Sequence, residues 1–344
     1  MTLKIPFDIQ NKNYFYIDVR SESEFAQGHI IGAINMPILS DEERHEVGTL
    51  YKQVSIEKAK RLGLQYASRK ILDYFDLLSD LKAKNPQLTI VFYCARGGFR
   101  SRSITQLLQG IGEEVYCLEG GYKNYRNIVL DYLNSAENMP LFIMLHGFTG
   151  VGKTAILHNL SQKKIGVLDL EGAANHKGSH LGAIGTNCIQ SQQIFENTIY
   201  HELSNLKTPY AFVESESKRI GSVFIPPLLF DHIRNGKHLL VNRSIQKRVE
   251  SLVEEYCGSD NFDELIKPSL ERIKPYLSNE IYSNLLQQLQ DKDYDAFAET
   301  LLISHYDPIY NKSIKNYTYD LIFDAETNTQ GVEALQNWLI EQNI

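Results

Sequence analysis

A chain of 344 residues, 43% hydrophobic and 22% charged, has the composition of a globular protein and the length for two domains. Its formal charge of −7 excludes a globally basic nucleic-acid binder, so an RNA partner has to meet a local basic patch. Cys94, Cys117, Cys188 and Cys257 form neither a CxxC pair nor a metal-ligand spacing, which predicts reduced thiols, no bound metal and a cytoplasmic setting. No apolar stretch approaches the ~18 residues of a membrane span, and the N-terminus lacks a signal-peptide core.

Tyr14 to Arg20 reads as a strand ending in charge, and Ser21-Glu22-Ser23-Glu24-Phe25 as an acidic helix start. Asp41 to Lys84 is helix-like and longer than a simple crossover needs. Lys52, Lys58, Lys60, Arg61, Arg69 and Lys70 make it the most basic part of this half, and a solvated helical face is the expectation. Leu88 to Tyr93 is short, continuously apolar and rich in β-branched and aromatic residues, as a buried parallel strand should be. It delivers Cys94 into the loop Ala95-Arg96-Gly97-Gly98-Phe99-Arg100, and Ser101 to Gln109 then opens a helix. Gly97 and Gly98 let the backbone N–H groups turn inward, while Arg96 and Arg100 add charge. In that field a thiol loses its proton below the free value of about 8.5, and Cys94 becomes a nucleophile. Val115 to Tyr122 supplies a last strand and turn with Cys117 in the core, and the polar run around Asn134 to Asn138 marks a linker.

Leu141 to His146 is a second buried strand and runs into Gly147-Phe148-Thr149-Gly150-Val151-Gly152-Lys153-Thr154, a P-loop in its required strand–loop–helix context. Gly147, Gly150 and Gly152 free the backbone to wrap a diphosphate, Lys153 reaches it as a point charge, and Thr154 is placed to hold Mg²⁺. Gly166 to Glu171 and Tyr210 to Glu216 read as further strands, with Asp169, Glu171 or Glu214 as the metal-side acid. His176 and His180 are four apart, but the glycines around them argue against a helix and for a substrate loop rather than zinc. His238 to Val241 and Tyr319 to Asp324 complete a parallel sheet, and residues 243–316 are helical in pattern.

The run Asp18-Val19-Arg20, Glu24-Phe25, Gly28-His29-Ile30, Gly32-Ala33, Asn35, Pro37 resembles the N-terminal signature of the rhodanese family, and Cys94 falls where that family carries its persulfide-forming cysteine. The resemblance implies that Asp18, Arg20 and His29 are framework. Cys94 to Arg100 spans seven residues, one more than in most sulfurtransferases of that family, and is similar to the loop of the rhodanese-fold phosphatases. Sulfur transfer, phosphate hydrolysis and transfer of a chalcogen delivered as a phosphate derivative are all open at Cys94 on this basis.

Asp169-Leu170-Glu171-Gly172, Asn175-His176-Lys177-Gly178-Ser179, Phe195-Glu196-Asn197 and Glu214-Ser215-Glu216-Ser217-Lys218-Arg219-Ile220-Gly221, behind a rhodanese-like region and a P-loop, resemble the tRNA 2-selenouridine synthase family from end to end. The resemblance implies an α/β protein with a rhodanese-like domain over 11–134, a linker over 135–139, and a P-loop NTPase-like parallel-sheet domain over 140–344 with a helical insertion at about 243–316. It further implies exchange of sulfur for selenium at the wobble 2-thiouridine of tRNA, with geranyl diphosphate and selenophosphate as co-substrates and no tightly bound cofactor. Cys94 would carry selenium as a selenenylsulfide, and Arg96, Gly97, Gly98 and Arg100 would bind selenophosphate. Gly147, Gly150, Gly152, Lys153 and Thr154 would bind diphosphate. Asp169, Glu171, His176, Lys177, Glu214 and Arg219 would serve as substrate or metal-side residues. The competing reading is a rhodanese-type sulfurtransferase or phosphatase linked to an NTP-binding regulatory domain.

Overall fold

The computed structural model describes residues 3–176, 190–256 and 262–344. It forms two compact units, residues 1–134 with 191–205, and residues 135–190 with 206–344.

In the first unit five strands run parallel in the order Lys4–Ile5, Val115–Leu118, Thr89–Tyr93, Tyr14–Asp18, Ile34–Asn35. Thr89–Tyr93 is central, and Ile90 to Tyr93 are fully buried, so this strand is apolar on both faces instead of alternating. Ile17, Tyr74, Leu78, Ile104 and Leu108 pack with it into one core. The crossover from Ile34–Asn35 is made by three helices, Asp41–Gln53, Ile56–Ser68 and Ile71–Lys84. Ser40 starts the first with a capping box: its Oγ accepts from the Glu43 N–H at 3.2 Å, and Glu43 accepts from the Ser40 N–H at 2.8 Å. The last helix anchors the crossover through buried Tyr74 and Leu78, whereas Lys52, Lys58, Lys60 and Arg61 are exposed.

One element departs from the two-part division expected from sequence. Helix Gln192–Asn205 lies far beyond the linker, yet it packs in the first unit. Phe195, Ile199 and Leu203, spaced at i, i+4 and i+8, turn a buried stripe inward. Between them Asn197 is fully buried; its amide donates to the His29 carbonyl at 2.7 Å and to the Tyr122 hydroxyl at 3.1 Å. Arg126 donates to both Asn197 and Glu196. The Phe195-Glu196-Asn197 motif is therefore a packing motif here. Asn197→Ala is expected to destabilise the protein by about 1–3 kcal/mol, because Arg126, Tyr122 and the His29 carbonyl lose a buried partner; urea unfolding measures it.

The second unit has a parallel sheet in the order Leu321–Asp324, Lys237–Asn242, Leu141–His146, Tyr210–Glu214, Val167–Leu168. Helices Lys153–Gln162 and Asn328–Glu341 supply Ile156, Leu160, Val332, Leu335 and Trp338 to the core over it. The strand expected over Gly166 to Glu171 ends at Leu168: Asp169 caps a short helix, Leu170–Ala174, by accepting from the Gly172 N–H at 2.8 Å. Glu171 is thereby on a helix and not at a strand end. Between Asn242 and Leu321, helices Ile245–Tyr256, Phe262–Ile273, Asn279–Gln290, Tyr294–Leu301 and Asp307–Ile314 build a core of their own around Ile266, Leu285, Phe297 and Leu302. Among the described residues, no helix is long and apolar enough to cross a membrane.

Candidate functional site

Two sites emerge, one in each unit. In the first, Cys94 comes directly after the central strand and is 4% exposed. The loop behind it rests on the Gly120-Gly121 turn: the Tyr122 N–H donates to the Cys94 carbonyl and the Lys123 N–H to that of Ala95, both at 2.9 Å. A Cβ at Gly121 would lie 2.3 Å from the Cys94 carbonyl oxygen and 2.4 Å from the Gly97 nitrogen, so only glycine fits. Gly97 itself has φ +60°, in the left-handed region that suits glycine.

The Cys94 sulfur accepts from the Gly98 N–H at 3.3 Å and from the Ser101 hydroxyl at 3.2 Å. Burial works to raise its pKa, but the Ser101 hydroxyl, the Ser101 and Arg96 backbone N–H groups and the Arg100 charge outweigh it and hold the thiol below its ordinary value. The Cys117 thiol donates to the Ser101 oxygen at 3.3 Å, and burial pushes Cys117 up, so it stays protonated. Ser101 thus accepts a hydrogen bond from Cys117 and donates its own toward Cys94. The sequence marked Cys117 as core and Ser101 as a helix start; their meeting required the fold. Ser101→Ala is expected to lower the rate of Cys94 alkylation at neutral pH about tenfold, the effect of one hydrogen bond to a charged group. Its midpoint in a pH profile of iodoacetamide labelling should move up.

Arg100 makes two bonds to Glu24, at 2.6 and 3.1 Å, and Arg44 joins the same carboxylate at 2.9 Å. Its side chain is therefore oriented by the helix of the rhodanese-like signature, and its field still reaches Cys94. Arg96 is exposed at the loop tip. Asp18 and Arg20 form a buried pair, Arg20 also donates to the Gly28 carbonyl, and His29 stacks on Phe25 at 3.8 Å; all three hold the loop's support.

In the second site Gly150 and Gly152 both have φ +82°, which curls the P-loop. A Cβ at Gly147 would meet the Val241 carbonyl at 2.8 Å. The Lys153 ammonium donates to the Gly147 carbonyl at 3.2 Å. Burial works to lower its pKa, but Tyr310, Glu214, Glu216 and Glu171 raise it, and Lys153 stays charged. Carboxylate oxygens of Glu171, Glu214 and Glu216 lie within 4.8 Å of one another, and the Thr154 hydroxyl donates to Glu171 at 3.5 Å. Burial first, then mutual repulsion, drives Glu171 and Glu216 well above the ordinary carboxylate range. Of the expected acids, Glu171 and Glu214 are brought together; Asp169 caps a helix instead, and Glu216, absent from the expected set, takes its place.

His176 and Arg219 meet at Gly221: a Cβ there would lie 2.7 Å from the His176 ring, and the Arg219 Nε donates to the Gly221 carbonyl at 2.9 Å. Burial and Arg272 lower the His176 pKa, so its ring is neutral. Lys177 lies outside the described residues. Sequence reading also missed Arg248, which donates to the Thr149 carbonyl of the P-loop at 2.8 Å and pairs through both Nη atoms with Asp307. Nothing local marked it, since both partners are distant in sequence.

A rhodanese-type loop around a thiol of lowered pKa and a P-loop sheet in one chain define a two-domain protein of the rhodanese and P-loop class. Family models agree: a rhodanese-like domain matches residues 8–128, and the tRNA 2-selenouridine synthase AAA domain matches residues 140–342. The chain is similar to the tRNA 2-selenouridine synthase of Hydrogenovibrio crunogenus, at 32% identity over 96% of both chains. Those of Nitrosomonas europaea, at 34% over 83% of this chain and 74% of the relative, and Sulfurovum sp., at 30% over 92% and 93%, are also similar. The chain belongs to the tRNA 2-selenouridine synthase family.

Proposed function

We propose that this chain is a tRNA-modifying enzyme that replaces sulfur by selenium at the 2-thiouridine of the tRNA wobble position, with geranyl diphosphate activating the sulfur and selenophosphate as donor. The supporting observation is family membership over essentially the whole chain together with two glycine-rich loops of different chemistry, one around a thiol of lowered pKa and one around a half-buried lysine.

At the P-loop, the thiouridine sulfur attacks the first carbon of the geranyl group, the carbon–oxygen bond breaks, and diphosphate leaves. Lys153 and the loop amides neutralise the charge that develops on it. Glu171, Glu214, Glu216 and the Thr154 hydroxyl are hard oxygen donors suited to Mg²⁺, and a cation relieves the repulsion among the carboxylates. Bound there, Mg²⁺ supplies further neutralisation of the diphosphate.

At Cys94, direct attack on selenium gives a selenenylsulfide only if phosphorus leaves with the electron pair as phosphite. Attack on phosphorus needs no change of oxidation state: a sulfur–phosphorus bond forms, hydroselenide leaves, and the thiophosphate is later hydrolysed. Hydroselenide then adds to carbon 2 of the geranylated uridine, and geranylthiol departs with the proton. The seven-residue loop suits a tetrahedral phosphorus and favours this second route. Selenium's isotope envelope on the Cys94 peptide, or its absence, distinguishes the two.

Nucleoside mass spectrometry on 2-thiouridine tRNA, with each co-substrate omitted in turn, tests the whole reading. A geranylated product without selenophosphate, converted to 2-selenouridine on its addition, is the expected result. Unchanged tRNA in every arm, with ATP or GTP turnover instead, would favour the NTP-linked regulator.

A further inference from the structure

The P-loop strand Leu141–His146 has unlike neighbours. On one side strand Tyr210–Glu214 ends in the carboxylates that gather with Glu171; on the other, strand Lys237–Asn242 runs directly into Arg243. Ligands of open parallel sheets bind at this carboxyl edge, so the loop is bracketed by acids on one flank and an arginine on the other.

Arg243 is held by neutral acceptors. Its Nε donates to the Ala325 carbonyl at 2.9 Å, one Nη to Asn328 Oδ1 at 2.9 Å, and the other Nη to the Ser251 hydroxyl at 3.4 Å. Among the described residues no carboxylate lies within ion-pairing distance of it. Glu326, the acid whose field reaches it, is exposed and accepts from the Ser244 N–H at 3.1 Å. Arg248 differs on this point, since Asp307 neutralises it. A half-buried guanidinium without a counterion is unfavourable, and two of its five N–H groups are unused by these three bonds. The guanidinium also lies against the loop itself: a Cβ at Gly152 would be 2.9 Å from Arg243 Nη1 and 2.5 Å from Asn328 Oδ1.

We propose that Arg243 is a diphosphate-binding residue of the second site, its unused N–H groups taking oxygens of the anion seated in the Gly147–Thr154 loop as a second cation beside Lys153. This rests on the reading that the loop holds a diphosphate. A planar fork fixed at three positions suits that task better than a lysine would.

Calorimetric titration of the full chain with inorganic pyrophosphate, in Mg²⁺ buffer at two ionic strengths, tests it. Arg243→Gln is expected to weaken pyrophosphate binding about ten- to hundredfold and to flatten its salt dependence, as loss of a charge-assisted contact does. Arg243→Lys should restore the salt dependence and only part of the affinity. Asn328→Asp supplies the missing counterion without removing the arginine, and should weaken binding as well; it decides the matter if Arg243→Gln fails to fold. Unchanged affinity and salt slope in the folded variants, with only a lowered unfolding midpoint, would make Arg243 a strut and overturn the inference. Absence of pyrophosphate binding by the unmutated chain would overturn the diphosphate reading of the loop.

Discussion

Cys94→Ser is expected to yield no 2-selenouridine while the geranylated nucleoside accumulates. The substitution is nearly isosteric in a pocket where the side chain is 4% exposed, so the loop and its clamp onto Gly121 should persist. What disappears is the soft, readily ionised sulfur. Gly98 and Ser101 donate to that sulfur, but serine's hydroxyl starts from a far higher pKa, and the same two donors cannot make it an anion at neutral pH. Removing a nucleophile costs roughly 10⁴-fold or more in rate. Nucleoside mass spectrometry with both co-substrates present reads the two products in one run. Selenium incorporation that survives Cys94→Ser would remove Cys94 from the pathway; loss of geranylation instead would exchange the roles of the two sites.

Lys153→Ala is expected to reduce geranylation about 10²- to 10³-fold, the range found when a preorganised group facing developing negative charge is deleted. Selenation of RNA already carrying the geranyl group should continue. The acids around the lysine add a pH dependence. Glu171 and Glu216 are raised by burial and by repulsion within the cluster, and Lys153 is the cation that opposes this rise. A carboxylic acid with a raised pKa is neutral below that value and becomes charged as pH climbs through it. Without divalent ion, pyrophosphate binding should therefore weaken as pH rises through that range, since negative charge builds beside an anionic ligand. Added Mg²⁺ should flatten the profile. Pyrophosphate affinity that strengthens with pH in Mg²⁺-free buffer would show that the carboxylates do not face the ligand.

Both loops were legible because each is written in a contiguous stretch. A buried parallel strand announces itself as an unbroken apolar run, and the residues just after it form the loop at the sheet's carboxyl edge. Thr89–Tyr93 therefore located Cys94, and Leu141–His146 located the P-loop. The glycines were readable for the same reason, since positive φ at Gly97, Gly150 and Gly152 is a local requirement. The strand reading over Gly166 to Glu171 went astray where a short polar side chain competed with the expected element. Asp169 accepts a backbone N–H and begins a helix, which ends the strand three residues before Glu171.

What the amino-acid order determined by itself was therefore the pair of glycine-rich loops, the cysteine and lysine they hold, and the parallel sheets that carry them. Arg96 and Arg100, which help lower the Cys94 pKa, are written in the loop itself; tertiary structure alone brought in the tuning groups from outside the loops. Ser101 reaches Cys94 because a helix turn folds back over the strand end, and Cys117 reaches Ser101 from the neighbouring strand. Glu216 joins Glu171 across separate elements, and Arg243 meets Gly152 only because their strands are adjacent in the sheet. The helix Gln192–Asn205 joined the first unit because its apolar stripe and buried Asn197 found partners there. Charge and hydrogen bonding act over a few ångströms in space, so residues far apart in the chain tune one another only after the sheets have set their register.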